Sequence, residues 1–459
     1  MKKRLLPGLI ALFAAQPAFS LDLMETYEKA LSYDSGIASA LAQFQAQQAA
    51  SDVSRSSLLP QIGAFAEGSH VNVDPKQGSS NNYRPFSYGV QLTQPIFRAD
   101  SWFRYDASQF QTDAAQAQYN LAQQQLILDV ASAYFNVLRA QDTVTTARAT
   151  EAAIQRQFEQ AQERFDVGLI AITEVYEARA SYDDSKSQRI AAENQLNVAR
   201  EQLARLTGEY ADDLENLREN FPLGRPEPMD PSAWENTALE QNWSIQSALY
   251  QLNSSEANLK VAKSGHLPTL DLTASYSETD IHGNESTALG QRQQFEGSQG
   301  VIGLQLNVPL YMGGGTQAGV RQQRSLVTAA EQDLNTVRRD VRVNTRSLYL
   351  TVNNNVETAS ALEQTIISRR SALDATRAGY DVGTRNIVEV LDAERAYYVA
   401  LRDYANARYD YVINTLQLKQ AAGTLSPQDL IDLNNWLSAN ARGIEAMAEE
   451  GRTLDDPRQ

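Results

Sequence analysis

The sequence has no cysteine, only three histidines, and, after its first twenty residues, no apolar stretch long enough to span a bilayer as a helix. Disulfides and thiolate metal ligands are therefore excluded. The histidines (His70, His266 and His282) lie far apart, and no Ser/His/Asp motif accompanies them. Gly313–Gly315 lacks the following Lys-Ser/Thr of a phosphate-binding loop. We therefore predict no catalytic residues, no metal site, no cofactor and a protein that is not an enzyme.

An excess of positive charge is also missing, except at the N-terminus. Lys2–Arg4 is followed by the apolar Leu5–Phe13 and by the small-residue end Ala18–Ser20, the order typical of a secretory signal. We expect residues 1–20 to be a signal peptide cleaved after Ser20. The remaining chain carries 37 Lys and Arg against 56 Asp and Glu, a formal net charge of −19. This balance argues against nucleic acid as a partner.

Two copies of one unit follow the signal. Phe165–Leu169 is echoed by Tyr380–Thr384 at a spacing of 215 residues. Two further matches keep the same order: Pro95 with Pro309 at a spacing of 214, and Pro60 with Pro268 at a spacing of 208. Agreement over so many positions indicates an internal duplication. We assign repeat 1 to residues 21–230, repeat 2 to residues 231–437 and a flexible tail to residues 438–459.

Each repeat alternates apolar and polar residues in two short segments, as β-strands with one apolar face do. Each segment has roughly the 9–11 residues of a tilted strand that crosses a bilayer. We predict membrane strands at about 61–73 and 86–96 in repeat 1, and at about 269–277 and 301–310 in repeat 2. Polar loops are expected at 74–85 and 278–299. The edge of a soluble β-sandwich is the alternative interpretation.

Long helices are predicted for most of the rest of both repeats. Residues 98–165 and 316–380 contain no proline, and about 67 residues of helix measure roughly 100 Å. Return helices at 171–207 and 386–422 repeat small and apolar residues in alternating steps of three and four, which favours supercoiling. Further helices are expected at 22–58 and 233–265.

Two strands per repeat give four per chain, and four strands cannot close into a barrel. An open sheet edge in lipid leaves backbone groups unpaired, which is costly. A membrane barrel needs at least about eight strands, which two chains would supply, while three chains would supply twelve. The strands therefore predict an oligomeric duct whose helices project far into the periplasm, and they leave the number of chains open.

Short motifs recur around the strands and turns: Leu58–Gln61, Gln94–Phe97, Ala133–Leu138, His266–Leu270 and Gly379–Arg385. Together they resemble the TolC family of outer-membrane efflux proteins, over essentially residues 22–437. The resemblance implies a mainly α-helical fold with a membrane β-barrel, in a homotrimer whose twelve-stranded barrel continues as an α-helical coiled-coil tunnel. It also implies an outer-membrane location with a large periplasmic portion.

The function implied by the resemblance is a passive exit duct for drugs, small molecules or proteins, in a tripartite efflux or type I secretion system. Its partners would be a periplasmic adaptor (membrane fusion) protein, an inner-membrane pump or ABC translocase, and outer-membrane lipid. The alternative is a non-conducting trimeric coiled-coil adhesin or envelope scaffold. Such a protein would need neither alternating strands nor acidic residues at the helix tips.

The turns between the long helices and the return helices form the first candidate site. The plain interpretation of their glycines is turn geometry, and the resemblance implies that the turns also contact the adaptor. The residues concerned are Val167, Gly168, Leu169, Val382, Gly383 and Thr384. Pro95 and Pro309 are expected at the junctions where a strand ends and a long helix begins.

Carboxylates just after these turns form the second candidate site. Glu174 with Glu177, and Glu389 with Asp392, are repeat-related pairs three residues apart, so each pair shares a helix face. The resemblance implies that they line the periplasmic entrance as an acidic ring, where a narrow mouth would focus a negative potential and attract cations. The alternative is a role at the helix N-terminus, including a capping box formed by Asn386 and Glu389.

A gate latch is the third candidate site. The resemblance implies that Tyr380 and Arg385 hold the entrance shut, with partners at Thr173 and Glu174. The family typically has Asp at the position of Glu174, whose side chain is one methylene longer. A solvated surface charge is the alternative interpretation of Arg385.

Overall fold

A computed structural model describes residues 21–73, 81–211, 213–284 and 297–438 of the chain. The predicted signal peptide lies outside the described residues, as does the predicted tail beyond Ser438. No helix within the described ranges combines the length and the apolar character that crossing a bilayer requires.

Helices make up most of the described chain. In chain order they are α1 (Leu23–Tyr33), α2 (Ser35–Ser56), α3 (Ala99–Asp166), α4 (Ile172–Thr207), α5 (Pro231–Gln241), α6 (Trp243–Ser264), α7 (Gly315–Asp381), α8 (Ile387–Ala422) and α9 (Pro427–Asn434). The long helices expected at 98–165 and 316–380 correspond to α3 and α7, and the return helices correspond to α4 and α8.

The helices expected at 22–58 and 233–265 are each divided in two. Asp34 separates α1 from α2, and Asn242 separates α5 from α6. The Asn242 side chain accepts a hydrogen bond from the backbone N–H of Ser244 at 2.9 Å, so it caps a new helix inside the run. At Asp34 the backbone leaves the helical conformation, with ψ = 122°.

The strands are β1 (Gln61–Gly68), β2 (Val71–Val73), β3 (Asn81–Phe97), β4 (Asn216–Leu217), β5 (Thr269–Asn284), β6 (Gly297–Asn307) and β7 (Leu437–Ser438). The loop predictions at 74–85 and 278–299 were partly wrong, because β3 begins at Asn81 and β5 continues to Asn284. These extensions pair with each other over several polar residues. Backbone hydrogen bonding between strands does not require apolar and polar side chains to alternate. The strands therefore extend beyond the residues that show the alternation.

Two compact units make up the chain. One, the helical unit, contains residues 21–35, 123–235 and 345–438; the other, the sheet unit, contains residues 36–122 and 236–344. Each unit takes segments from both sequence repeats, so the units and the repeats divide the chain differently.

The sheet unit contains an antiparallel sheet with the strand order β1-β3-β5-β6, and β2 also pairs with β3. Val90 lies opposite Ala64 on one side and Tyr276 on the other, and Ala274 lies opposite Ile302. Residues that face each other across strands share a face of the sheet. The resulting apolar sheet face is exposed, and its members include Ile62, Phe86, Val90, Tyr276, Ile302, Leu304 and Leu306.

The opposite face of the sheet is mostly polar. Gln91 pairs with Ser275, and Thr93 pairs with Thr273. On β5 the apolar residues of this face stop before Glu278, whose carboxylate accepts a hydrogen bond from the Tyr88 hydroxyl at 2.7 Å. The sheet therefore has one apolar face with carboxylates toward one end of β5, an arrangement that suits strands in contact with lipid on one side.

The helical unit is held together by the seam that the heptad pattern predicts. On α4 the buried residues include Val175, Ala178, Ser185, Ala192, Ala199 and Leu203, and on α8 they include Val390, Tyr397, Ala400, Leu418 and Ala421. On α4 this spacing, built from steps of three and four residues, keeps one stripe of the helix inside. α8 also buries Leu391, Tyr398, Leu401 and Tyr409, so more than one stripe of it is enclosed. Small side chains in this stripe allow neighbouring helices to approach closely.

Glycine ends both return helices in the left-handed conformation. Gly208 follows α4 with φ = 76°, and Gly423 follows α8 with φ = 79°. At Gly208 a Cβ would lie only 2.7 Å from the Tyr33 ring. A side chain there would meet both an unfavourable backbone conformation and a steric clash.

We therefore expect Gly208→Ala to lower the free energy of unfolding by about 1–2 kcal/mol. The matched control is Gly319→Ala in α7, where a Cβ meets no atom within 4 Å; it should raise stability by about 0.5–1 kcal/mol. Urea unfolding followed by circular dichroism at 222 nm in detergent measures both changes. An unchanged midpoint for Gly208→Ala would contradict this account.

Candidate functional site

The turns at the ends of the two helical hairpins have the same geometry. In the α3–α4 turn, Gly168 has φ = 79° and the Leu169 N–H donates to the Arg164 carbonyl at 2.8 Å. In the α7–α8 turn, Gly383 has φ = 77° and the Thr384 N–H donates to the Gly379 carbonyl at 2.8 Å. Glycine is therefore required by the turn itself, as the plain interpretation holds.

Apolar side chains are exposed at both turns, although no geometric reason requires them there. Val167 is 70% exposed, Leu169 71% and Val382 75%. Gly168 has open space around its Cα, and so has Gly383. Exposed aliphatic side chains on tight turns are a feature of contact surfaces, but adaptor binding by these residues stays a prediction.

Glu389 has partners on its own helix end. Its backbone N–H donates to the Asn386 side-chain oxygen at 2.9 Å, which caps α8. Its carboxylate accepts hydrogen bonds from the Asn386 amide at 2.9 Å and from the Arg385 guanidinium at 2.6 Å. The capping alternative raised for Asn386 and Glu389 therefore has support in the geometry, and the charge of Glu389 is balanced locally.

The other predicted acidic residues lie along two adjoining cavities in the helical unit. Glu174 and Glu177 line a cavity of about 210 Å³ together with Val388 of α8. Asp392 lines a second cavity of about 150 Å³, and Val388 also contributes to it. The carboxylates of both repeats are thus brought to one region, around the start of α8. A role in an entrance ring stays a prediction for all of them.

Arg385 does not contact its predicted latch partners in the single chain. Its guanidinium is paired with Glu389, and no hydrogen bond or ion pair joins it to Thr173 or Glu174 within the described residues. Its stem packs closely against the chain at Gly379, where a Cβ would lie 2.7 Å from Arg385 Cγ. Tyr380 is half-buried next to this glycine. The latch stays a prediction.

The two strand-to-helix junctions differ. Pro95 lies within β3, opposite Asp271, and the register shifts between Pro95 and Phe97. Arg98 then binds Asp271 with two parallel hydrogen bonds of 2.8 and 2.7 Å, which fixes the start of α3 against β5. Pro309 lies two residues beyond the end of β6, in a segment that leads to α7.

Sequence reasoning missed Glu394, which connects three helices. This α8 side chain is 8% exposed, and its carboxylate lies 3.9 Å from Arg156 of α3 and 3.7 Å from Arg377 of α7. Glu394 directly follows Ala393 of the predicted seam, so its proximity to the core was visible in the sequence. Its two arginine partners were not, because they come from distant parts of the chain.

A second missed contact ties α8 to α3 in the interior. The Tyr409 hydroxyl donates to the Asp142 carboxylate at 2.8 Å, and both side chains are buried. Beside them the buried Arg408 guanidinium donates to the Arg218 carbonyl. Burial, and then the neighbouring Asp142 carboxylate, raise the pKa of Tyr409 well above its ordinary value of 10.

This raised pKa predicts a loss of stability at alkaline pH. Above pH 10 the unfolded chain releases the tyrosine proton while the folded chain keeps it, so stability falls as pH rises through this window. The slope from Tyr409 is at most about 1.4 kcal/mol per pH unit. Tyr409→Phe should therefore make the urea midpoint less dependent on pH between 9.5 and 11.5. Tyr176→Phe, at an exposed site on α4, is the control, and equal slopes in both variants would refute the prediction.

Comparison with known proteins identifies close relatives over nearly the whole chain. Residues 26–209 and 234–424 match the sequence profile named "Outer membrane efflux protein". The chain is 37% identical to outer membrane protein TolC of Escherichia coli (strain K12) over 468 residues, which cover 99% of this chain and 94% of the relative. It is 28% identical over 432 residues to alkaline protease secretion protein AprF of Pseudomonas aeruginosa, with 92% and 89% covered.

Solved structures show the same fold. The CmeC outer membrane channel of Campylobacter jejuni matches with a TM-score of 0.75 at 19% identity, covering 95% of this chain and 90% of that one. A structure of CusC matches with a TM-score of 0.75 at 19% identity, covering 91% and 96%. The mainly helical fold is therefore that of outer-membrane channels.

Proposed function

This chain belongs to the outer membrane efflux protein family, and from that premise we propose that it is the exit duct of a tripartite efflux or type I secretion system. The resemblance found in the sequence is confirmed at the level of the family. The protein is located in the Gram-negative outer membrane, and its relatives are channels rather than enzymes.

The observation that carries the proposal is the exposed apolar sheet face. Four antiparallel strands present aliphatic and aromatic side chains outward, and polar side chains on the other face. In water such a face would favour aggregation, whereas in a bilayer it is solvated by lipid. The edge strands β1 and β6 require further strands in that setting. We propose a homotrimer with a twelve-stranded barrel as the arrangement that supplies them.

The helices would then extend the barrel into the periplasm as a tunnel. At 1.5 Å per residue, the 68 residues of α3 are about 100 Å long. The exposed valine and leucine side chains of the hairpin turns support docking of a periplasmic adaptor protein at that end. We propose an inner-membrane pump or an ABC translocase as the energy source, and drugs, other small molecules or proteins as cargo. The export function in the name of the relative AprF agrees with the secretion alternative.

Conductance distinguishes this function from a coiled-coil adhesin or envelope scaffold. The purified protein should form discrete channels in planar bilayers, and a strain without it should lose tolerance to toxic compounds or fail to export its cargo. Protein that folds and inserts but conducts no ions would favour the scaffold.

Charge at the entrance should set ion selectivity. Asp392 is exposed and, unlike Glu389, has no arginine partner among the described residues. We expect Asp392→Asn to reduce the preference for cations over anions several-fold, because every copy in the assembly loses one negative charge at a narrow mouth. Reversal potentials in a salt gradient measure this ratio. Asp432→Asn, at an exposed position on α9, should leave the preference for cations unchanged. An equal effect of both substitutions would show that Asp392 does not determine the selectivity.

The proposed latch makes a separate prediction. Arg385→Ser combined with Tyr380→Phe should raise single-channel conductance, because the two side chains would no longer hold the α7–α8 turn in its closed position. Arg369→Ser, an exposed arginine of α7 further from the turn, is the control. Unchanged conductance in the double variant would rule out the latch, while the duct itself would stand.

A further inference from the structure

The polar sheet face becomes the wall of the lumen when the strands close the proposed barrel, because the apolar sheet face then takes the lipid side. Uncharged amides and hydroxyls dominate this polar sheet face. Typical members are Gln91, Thr93, Thr273, Ser275, Gln305 and Asn307. Among the described residues of this face only two carry a charge, Glu67 on β1 and Asp271 on β5. The effect of the wall on a passing ion therefore depends on these two carboxylates.

The charge of Asp271 is cancelled within the chain. Its side chain is buried, and the Arg98 guanidinium donates hydrogen bonds of 2.8 and 2.7 Å to its two carboxylate oxygens. A bidentate pair of this kind holds both partners in a fixed geometry, and the two charges together sum to zero. Asp271 therefore contributes little to the potential in the lumen.

Glu67 has neither this burial nor this partner. Its side chain is exposed, and no hydrogen bond or ion pair reaches its carboxylate from any residue that the structure describes. Ser87 lies opposite Glu67 on β3, and the Ser87 hydroxyl is instead hydrogen-bonded to the Thr279 hydroxyl at 3.0 Å. On the other edge strand, β6, no described residue of the polar sheet face is charged. Within the described sheet, Glu67 is thus the one uncompensated charge of this face.

The position of Glu67 along β1 places it away from the helices. β1 begins at Gln61, five residues after α2 ends, and Glu67 is six residues further along the strand. At about 3.3 Å per residue, these six residues cover roughly 20 Å. In the proposed duct the helices continue from the Gln61 end of the strand into the periplasm. Glu67 then lies toward the outward mouth, whereas the proposed acidic entrance is at the other end of the duct.

We propose that Glu67 is a second determinant of ion selectivity, as a ring of carboxylates near the outward mouth of the barrel. This proposal deepens the proposed function, on which it rests. A wall of amides and hydroxyls does not discriminate between cations and anions, so the ring sets the sign of the potential and favours cations. The duplication does not double the ring, because the residue 208 positions after Glu67 is Ser275. Each copy of the chain therefore contributes one carboxylate.

The width of the bore determines when this ring acts. A barrel of twelve strands is wide enough to hold a water-filled channel. The screening length of salt is about 30 Å at 0.01 M, about 10 Å at 0.1 M and about 3 Å at 1 M. Carboxylates on the wall influence the centre of a wide bore only while the screening length is comparable with the radius. The effect of Glu67 should therefore be large in dilute salt and absent near 1 M.

Reversal potentials in salt gradients test the proposal. We expect Glu67→Gln to lower the ratio of cation to anion permeability about twofold or more below roughly 0.1 M salt, and to leave it unchanged near 1 M. Glu278→Gln is the matched control. Glu278 is an exposed carboxylate at the same end of the sheet, but it lies on the apolar sheet face, where it accepts a hydrogen bond from Tyr88. Its substitution should not change the ratio at any salt concentration.

Chemical modification gives a second measurement on channels that have already inserted. The chain has no cysteine of its own, so Glu67→Cys introduces a single thiol. A negatively charged thiosulfonate reagent should restore the preference for cations, and a positively charged reagent should reverse it. The same reagents on Glu278→Cys should have no effect on the ratio.

Equal changes in the Glu67 and Glu278 variants would overturn the proposed role of Glu67 and leave the duct intact. An unchanged permeability ratio in Glu67→Gln at low salt, with no response of Glu67→Cys to either reagent, would do the same. Absence of conductance in the unmodified protein would instead overturn the proposed function.

Discussion

Backbone hydrogen bonding at the edges of the sheet is the constraint on which the other features depend. β1 and β6 each pair along one side, and the apolar sheet face leaves no place for water beside them in a bilayer. Unpaired N–H and C=O groups in hydrocarbon are too costly to persist, so the strands are stable in lipid only as part of a closed sheet. In the proposed barrel, closure from several copies would also fix where every α3 helix begins, because α3 starts at Ala99, two residues after β3 ends at Phe97. The Arg98–Asp271 pair makes that geometry rigid at the first junction.

Within the helical unit, a few buried polar contacts set how the helices are aligned. Alanine and serine seams allow close packing but tolerate sliding, since one small side chain fits the space of another. Glu394 between two arginines, and Tyr409 with Asp142, do not tolerate sliding, because each would leave a buried group without its partner. The cost of burying these groups is offset only in one alignment. They therefore contribute more to the choice of alignment than to net stability.

The periodicity of the sequence predicted those helices in which one residue pattern recurs many times. The bounds of α3 and α7 were predicted to within one residue, because more than sixty residues without proline leave few places to end a helix. The breaks at Asp34 and Asn242 were missed, since each depends on a single residue inside an otherwise helical composition. The polar ends of β3 and β5 were missed because their pairing with each other determines them. At the candidate site the positions of the turns followed from the sequence, and the pairing of Arg385 with Glu389 has a local i,i+4 spacing. The two arginine partners of Glu394 depend on contacts between distant parts of the chain, which no local pattern encodes.

The duplication gives the chain two strand hairpins with one internal register, because Gln61 pairs with Thr93 as Thr269 pairs with Asn307. The hairpin turns are not under the same constraint. In the first repeat Glu174 follows the turn without an arginine partner in the described chain, whereas in the second Arg385 neutralises Glu389 and leaves Asp392 as the exposed charge. In the proposed gate, an opening that displaces Arg385 would uncover Glu389, so movement of the α7–α8 turn would change the charge of the proposed entrance together with its width.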